Sequence, residues 1–152
     1  MTLKSDSAVV FTNFALKVLG GLTVEPDVTF QNVTEQETNG GALYVDKDSS
    51  ATFLGTSRFL SNTVTNSQAN LDRFRNGGAV FNKGNLVFEG DATFLLNKAL
   101  TQDSTDVGRG GAIYNARIGT ITFNAGLTAD ENRGEVRIGD GRRHLHQRRY
   151  RR

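Results

Sequence analysis

The sequence predicts an all-β protein, a right-handed, single-stranded parallel β-helix of about three to four coils. Each coil is expected to hold three strands, and a disordered or irregular C-terminal tail is expected to follow. Three observations lead to this fold class: a recurring Gly-Gly-Ala triplet, columns of Phe and Asn in phase with it, and short segments in which apolar and polar residues alternate. A β-meander or β-sandwich would also use short strands and Gly-Gly turns, but neither explains the constant phase.

The Gly-Gly-Ala triplet sets the length of the repeat. It occurs three times at near-regular spacing, and an aliphatic and an aromatic residue follow each copy. The triplets are Gly40-Gly41-Ala42, Gly77-Gly78-Ala79 and Gly110-Gly111-Ala112. Repeats of this length without a helical pattern indicate stacked β coils. The Gly pair is expected to permit a turn with positive φ and a close approach of neighbouring backbones.

Two Phe columns and one Asn column follow each triplet. The second column lies six positions after the first Phe in every copy, and the Asn lies nine positions after it. The positions are Phe53, Phe88 and Phe123; Phe59, Phe94 and Ala129; Asn62, Asn97 and Asn132. In a stack each column forms a row of like residues. The Asn row is expected at a bend with left-handed backbone, with its amides hydrogen-bonded along the stack.

The distance from the Gly pair to the first Phe is less regular. Phe88 follows Gly77 two positions sooner than Phe53 follows Gly40 or Phe123 follows Gly110.

Alternation of residue types defines the strands within each copy. Leu86 and Phe88 share one face of a strand, and Glu89 points to the other. Such runs are short, rich in Val, Ile, Thr and Phe, and end at Gly, Asn or Asp, which is typical of strands. Each copy holds three of them: one after the triplet, one ending at the first Phe, and one between the second Phe and the Asn.

A worn copy of the repeat precedes the first triplet. Val24 and Phe30 keep the six-position spacing, but Asn32 arrives one position early. The segment VVFTNFALKV before this copy is either another worn rung or a cap. We therefore divide the chain into a worn rung or N-terminal cap (1–21), the β-helix repeats (22–132), and a basic tail that is expected to be disordered (133–152).

Charge is distributed unevenly along the chain. Residues 1–132 carry 10 basic and 14 acidic side chains, whereas residues 133–152 carry 8 Arg against Glu135 and Asp140. The absence of Cys excludes disulfides, thiolate metal sites and a Cys nucleophile. No apolar run reaches the roughly 18 residues that a membrane-spanning helix needs. We predict no signal peptide at the N-terminus.

Three weak patterns are candidates for binding sites. The Arg-rich tail is typical of non-specific binding to nucleic acid or anionic surfaces, but the break in repeat phase favours a solvated tail, and we predict no specific nucleic-acid partner. Asp46 and Asp48 could share a strand face and bind calcium weakly, and His144 and His146 could contact one metal. The Asp pair does not recur in the other copies and is interpreted as part of a solvated turn, and the His pair lacks a third ligand. We predict no metal site and no cofactor.

The paired motifs resemble those of a known family. GGALYV pairs with Phe59-Leu60-Ser61-Asn62, and GGAVFN pairs with Phe94-Leu95-Leu96-Asn97; GGAIYN pairs with a copy that has lost the Phe but keeps Asn132. Over about residues 22–132 the chain resembles the repeat of chlamydial-type polymorphic outer membrane proteins, within the pectin-lyase-like β-helix superfamily. The resemblance implies a β-helix exposed at a cell surface, extracellular or on the outer membrane, with adhesion as the usual role.

We therefore predict a non-catalytic, surface-exposed repeat module of adhesion or scaffolding type, in a chain that is expected to be a piece of a larger protein. The variable loops 63–76 and 98–109 are expected to contact cell-surface glycans or proteins. Membrane contact is expected only through parts of a parent protein outside this chain. Two alternatives remain: a remnant of a carbohydrate-active β-helix enzyme (polysaccharide lyase or hydrolase type), and a non-functional gene fragment. Such enzymes need clustered carboxylates, whereas the acids here are scattered, so we predict no catalytic residue and no enzymatic activity.

Overall fold

The structure, a computed structural model, describes residues 1–35, 39–65, 75–100, 108–138 and 141–146, with side chains described up to residue 134. The described residues form 19 strands and no helix. The strands are β1 Thr2–Leu3, β2 Val9–Thr12, β3 Leu16–Val18, β4 Gly21–Val24, β5 Val28–Gln31, β6 Thr34–Glu35, β7 Leu43–Val45, β8 Ser50–Phe53, β9 Ser57–Leu60, β10 Thr63–Val64, β11 Val80–Asn82, β12 Asn85–Phe88, β13 Ala92–Leu95, β14 Lys98–Ala99, β15 Ile113–Asn115, β16 Thr120–Phe123, β17 Leu127–Asp130, β18 Arg133–Ile138 and β19 Gly141–His146.

The strands stack into four sheets. Sheet I holds β3, β7, β11 and β15; sheet II holds β1, β4, β8, β12 and β16; sheet III holds β2, β5, β9, β13 and β17; sheet IV holds β6, β10, β14, β18 and β19. Pairing is parallel throughout except between β18 and β19. Because each strand pairs with its counterpart one coil away, the chain winds as a parallel β-helix, which confirms the predicted fold class.

Four complete coils run from β3 to β18, at the upper end of the expected number, and β1 and β2 precede them. The three predicted strands of each coil lie in sheets I, II and III. Sheet IV, which the sequence did not predict, adds a strand after the Asn position, only two residues long in β6, β10 and β14. Two residues are too few to show alternation, so this sheet leaves no readable pattern.

The N-terminal segment joins the stack as a partial coil. Strands β1 and β2 pair with β4 and β5, and β3 pairs with β7. The second Phe row continues from Phe59 through Phe30 to Phe11. Phe14, which is half exposed, stacks on Phe11 at 5.7 Å between ring centroids and lies beyond the end of this row. The segment therefore pairs as a rung and covers that row with an aromatic ring. The boundaries at residues 21 and 132 remain predictions.

The C-terminal segment leaves the coil topology after Asn132. Strand β18 pairs in parallel with β14, but β19 then runs antiparallel to β18. No fourth Gly-Gly-Ala triplet is present to turn the chain back into sheet I. The tail is therefore irregular with respect to the repeat, as expected. Residues 139–140 and 147–152 lie outside the described residues, and disorder of the tail remains a prediction.

Two rows of Phe rings fill the interior. Along the first row the centroids of Phe53, Phe88 and Phe123 are 5.3 and 5.1 Å apart. Along the second, Phe59 stacks on Phe94 at 4.8 Å, and Ala129 pairs in register with Phe94 in the next coil. The two rows meet edge to face, at 88° between Phe59 and Phe88. Burying each ring contributes roughly 1.5–3 kcal/mol, and each aromatic contact roughly 0.5–1.5 kcal/mol more.

The bend after sheet III corrects one expectation about the Asn column. Left-handed backbone occurs at Ser61, Leu96 and Glu131, with φ of 55°, 58° and 52°, one residue before each column Asn. In the worn copy Asn32 itself has φ of 57°, and Val33 occupies the column position. The early arrival of Asn32 is thereby explained, because this Asn makes the bend and not the column.

Leu96 is poorly suited to the bend that it occupies. A left-handed conformation costs roughly 1–2 kcal/mol for most residues and less for Asn, and Asn32 already makes the equivalent bend. We expect Leu96→Asn to raise the free energy of unfolding by about 1 kcal/mol, measured by urea denaturation. Leu54→Asn is the matched control, since Leu54 is 46% exposed against 39% for Leu96 and lacks positive φ. Equal effects in the two variants would contradict the strain argument.

Candidate binding cleft between sheets I and II

The column Asn residues form a buried amide ladder. The Asn62 side-chain amide donates to Asn97 Oδ1 at 3.0 Å, and the Asn97 amide donates to Asn132 Oδ1 at 2.9 Å. The backbone N–H groups of Asn62 and Asn97 donate to the same two oxygens, both at 3.0 Å. Each amide also reaches a Phe carbonyl one coil earlier, as Asn97 reaches Phe59 at 2.9 Å. These side chains bond successive coils to one another. Because they are buried, they are not placed to contact a ligand.

The two glycines of each pair have different tasks. The first glycines, Gly40, Gly77 and Gly110, have φ of 78°, 73° and 65°. The second glycines, Gly41, Gly78 and Gly111, lie against the backbone of neighbouring chain segments. A Cβ on Gly78 would overlap the carbonyl oxygen of Gly111. Alanine follows each pair and is buried in all three copies, at Ala42, Ala79 and Ala112. The triplets therefore build the stack.

A second Asn pair was not recognised from the sequence. Asn82 ends β11, is fully buried, and donates to Asn115 Oδ1 at 2.8 Å. The equivalent residue one coil earlier is Val45, so the pair breaks the column and its repetition is hidden. Its signal was the shared Asn of the GGAVFN and GGAIYN motifs.

The loops expected to contact partners fall largely outside the described residues. These are 66–74 within the loop 63–76, and 101–107 within the loop 98–109. The expected boundaries are wrong at their start, because residues 63–64 and 98–99 are strands β10 and β14. The base of the first loop is held by Arg75, whose Nε donates to the Thr65 carbonyl at 2.8 Å.

The acidic pair Asp46 and Asp48 lies in the turn after β7 and not on a strand face. Asp46 accepts a hydrogen bond from the Tyr44 hydroxyl at 3.2 Å, and Asp48 lies 3.8 Å from the Lys47 ammonium. The Lys47 backbone N–H lowers the pKa of the Asp46 carboxyl below its usual value; burial opposes this, while Tyr44 and the charges of Lys83 and Lys17 add to it. No group of three metal-ligating His, Cys, Asp or Glu side chains occurs in the part of the chain that the structure describes.

The side chains of the other pair, His144 and His146, lie beyond the described side chains. None of the described residues belongs to a helix that is long and apolar enough to cross a membrane.

An open cleft interrupts the corner between sheets I and II. Turns of four residues, 46–49 and 116–119, join the sheets in two coils, whereas the coil between them uses only Lys83 and Gly84. The turn of the middle coil is two residues shorter than those on either side, and a notch of about 400 Å³ lies here, lined by residues of all three turns. The early arrival of Phe88 after its Gly pair is the sequence signal of this notch. The sequence shows the difference in spacing, but not that a cleft results from it.

The cleft is lined by polar side chains. Two lysines, one aspartate, three hydroxyl groups and one amide contribute, with one apolar residue and one glycine: Lys47, Asp48, Ser49, Ser50, Lys83, Gly84, Asn85, Ile118 and Thr120. Thr120 Oγ1 donates to Asn85 Oδ1 at 2.8 Å across neighbouring coils. This arrangement can donate and accept hydrogen bonds and offers positive charge.

An aromatic stack lies beside the cleft on sheet I. Tyr44, Phe81 and Tyr114 stack with centroids 5.4 Å apart at each step. The Lys83 ammonium lies 5.7 Å from the Tyr44 ring centroid and 5.5 Å from that of Phe81. The contact positions Lys83, because a cation is attracted to the faces of aromatic rings.

Coils with two Phe rows, an amide ladder and a Gly-Gly-Ala turn define a parallel β-helix, and the chain carries the repeat of the polymorphic outer membrane proteins. It is 34% identical over 146 residues to the probable outer membrane protein pmp19 of Chlamydia pneumoniae. That alignment covers 86% of this chain and 14% of the relative, so the chain spans a small part of the relative's length. No family model and no solved structure matches the chain.

Proposed function

We propose that this chain is a non-catalytic, surface-exposed β-helix module of adhesion or scaffolding type, within a larger outer-membrane or extracellular protein. The observation that carries the proposal is the similarity, over 86% of the chain, to a probable outer membrane protein. The interior supports the same conclusion, because the repeated Phe, Asn and Gly residues hold the coils together and leave the lateral surface to vary.

The variable segments start from neighbouring strands and finish at neighbouring strands. The chain leaves sheet IV after β6, β10 and β14, which are neighbours, and enters sheet I at β7, β11 and β15, also neighbours. The connecting segments therefore begin and end at one corner of the β-helix. Variable loops on a rigid scaffold are the usual place for binding residues, so we place contact with glycans or proteins at this corner.

Surface exposure is tested by labelling intact cells of the source organism with antibodies raised against the purified chain. We expect labelling without permeabilisation, and its loss after brief protease treatment of intact cells. Labelling that requires permeabilisation would contradict the proposal. Beads coated with the chain then distinguish an adhesion module from a scaffolding module. Binding of the beads to cells indicates adhesion, whereas binding only to the chain's own parent protein indicates scaffolding.

The enzyme alternative is tested by incubating the folded chain with polyuronides and calcium. We expect no release of unsaturated or reducing ends above that of a heat-denatured control. Turnover would overturn the non-catalytic assignment.

A further inference from the structure

The cleft between sheets I and II is open to solvent and large enough to take a small ligand. Its floor is the short turn at Lys83 and Gly84, and its walls are the longer turns of the two neighbouring coils. A volume of about 400 Å³ lies within the range of small-molecule sites. The floor is fixed, because Lys83 N–H donates to the Val45 carbonyl at 2.9 Å and Thr120 N–H to the Gly84 carbonyl at 2.8 Å.

Lys83 supplies a positive charge that no carboxylate neutralises closely. The ion pairs of Lys4 with Glu25 and of Lys47 with Asp48 do not involve Lys83, and no carboxylate of the described residues lies within 4.0 Å of its ammonium. Lys83 acts on Asp46 only through longer-range charge interaction, and that carboxylate already accepts hydrogen bonds from Tyr44 and from the Lys47 backbone. The Lys83 ammonium is thus held over the rings of Tyr44 and Phe81, and Lys83 also lines the cleft, so its charge can attract an anion there.

The rest of the lining suits a polyhydroxylated ligand. Ser49, Ser50 and Thr120 bring hydroxyl groups, which can both donate and accept hydrogen bonds. The Thr120 hydroxyl donates to the side-chain oxygen of Asn85. The two amide hydrogens of Asn85 can then be donated to a ligand. Ile118, 56% exposed at the wall, offers an apolar surface for the C–H face of a sugar ring.

We propose that this cleft binds a carboxylated sugar unit of a glycan. The sugar carboxylate meets Lys83, its hydroxyl groups bond to Ser49, Asn85 and Thr120, and its ring packs on Ile118. This site lies at a different corner from the variable loops. The inference deepens the proposed function by naming a ligand class, and it rests on that function only for the exposure of the cleft to external glycans.

The test is an NMR titration of the purified full chain with digalacturonate and, in parallel, with the neutral galactose disaccharide of the same linkage. We expect digalacturonate to bind with a Kd on the order of 1 mM and to shift the backbone amides of Ser49, Gly84 and Thr120. The neutral disaccharide should bind about tenfold more weakly, because it lacks the group that meets Lys83.

Three variants locate the binding. Lys83→Gln should weaken digalacturonate binding about tenfold, and Lys83→Arg should retain it within about threefold. Lys98→Gln is the matched control, because Lys98 is an exposed lysine on sheet IV, and it should change the Kd by less than about twofold. Equal binding of the two disaccharides, shifts confined to other surfaces, an unaffected Lys83→Gln variant, or no shift at about 50 mM ligand would each overturn the proposal. Antibody labelling of cells is independent of these results, so the two proposals fail separately.

Discussion

Replacing Asn97 by alanine is expected to lower the free energy of unfolding by about 4 kcal/mol, since several buried polar groups lose their partners together. Asn97 is fully buried at the middle of the ladder. Its amide donates to Phe59 O and Asn132 Oδ1, and its Oδ1 accepts from both nitrogens of Asn62. Alanine supplies none of these bonds, and an unsatisfied buried group costs roughly 1–3 kcal/mol. Urea denaturation followed by circular dichroism measures the loss.

Asn124→Ala is the matched control for this change. Asn124 is exposed, and its amide makes one hydrogen bond, to Glu89 Oε2 at 2.8 Å. Water replaces that bond, so we expect a change below about 0.5 kcal/mol. If Asn97→Ala costs less than about 1 kcal/mol, water or neighbouring groups replace the amide, and the ladder is not a main source of stability.

The interior of this protein could be predicted because stacking repeats it. A parallel β-helix places residues of successive coils directly over one another, about 4.8 Å apart. Phe53 therefore needs Phe88 as its neighbour, and Asn62 needs Asn97, so the physical row is written into the sequence as a fixed spacing. Where the row fails, as at Ala129, the sequence shows it too. The Gly pairs follow the same logic, since Gly41 lies against Gly78 and Gly78 lies against Gly111 in the next coil.

Features that do not recur could not be predicted in this way. The left-handed residues Ser61, Leu96 and Glu131 share a conformation but no residue type, because the bend is fixed by the strands on either side. Asn82 and Asn115 lack a third partner in their column, and the short strands of sheet IV cannot show alternation.

Of the features described above, the cleft between sheets I and II is the hardest to predict from the sequence. It arises from a difference between coils. Even the lining residues that share a column, Ser50, Asn85 and Thr120, are of three different types, so a search for repetition passes over them. Only the shortened interval between Gly77 and Phe88 reports it. Lys83 is positioned by the rings of Tyr44 and Phe81, and these rings stack only in the folded coils, so its role could not be predicted from the sequence.

Replacing Gly78 by alanine is expected to destabilise the fold by about 3 kcal/mol through overlap alone. The added Cβ would overlap the Gly111 carbonyl and lie 2.6 Å from backbone atoms of Lys98. Both contacts are with main-chain atoms, and Gly78 N–H donates to Gly110 O at 3.0 Å, so relief requires neighbouring backbones to separate. Gly78 lacks positive φ, which makes this a test of space and not of backbone conformation.

Gly20→Ala provides the comparison that decides the interpretation of Gly78→Ala. A Cβ at Gly20 would meet no atom within 4 Å, and its φ is not positive. The same substitution there should change the free energy of unfolding by no more than about 0.5 kcal/mol, with a slight gain from the stiffer unfolded chain. A large loss at Gly78 beside none at Gly20, measured by urea denaturation, would show that contact between coils selects the second glycine. Equal losses would instead indicate a general intolerance of alanine in these turns and would contradict the close approach.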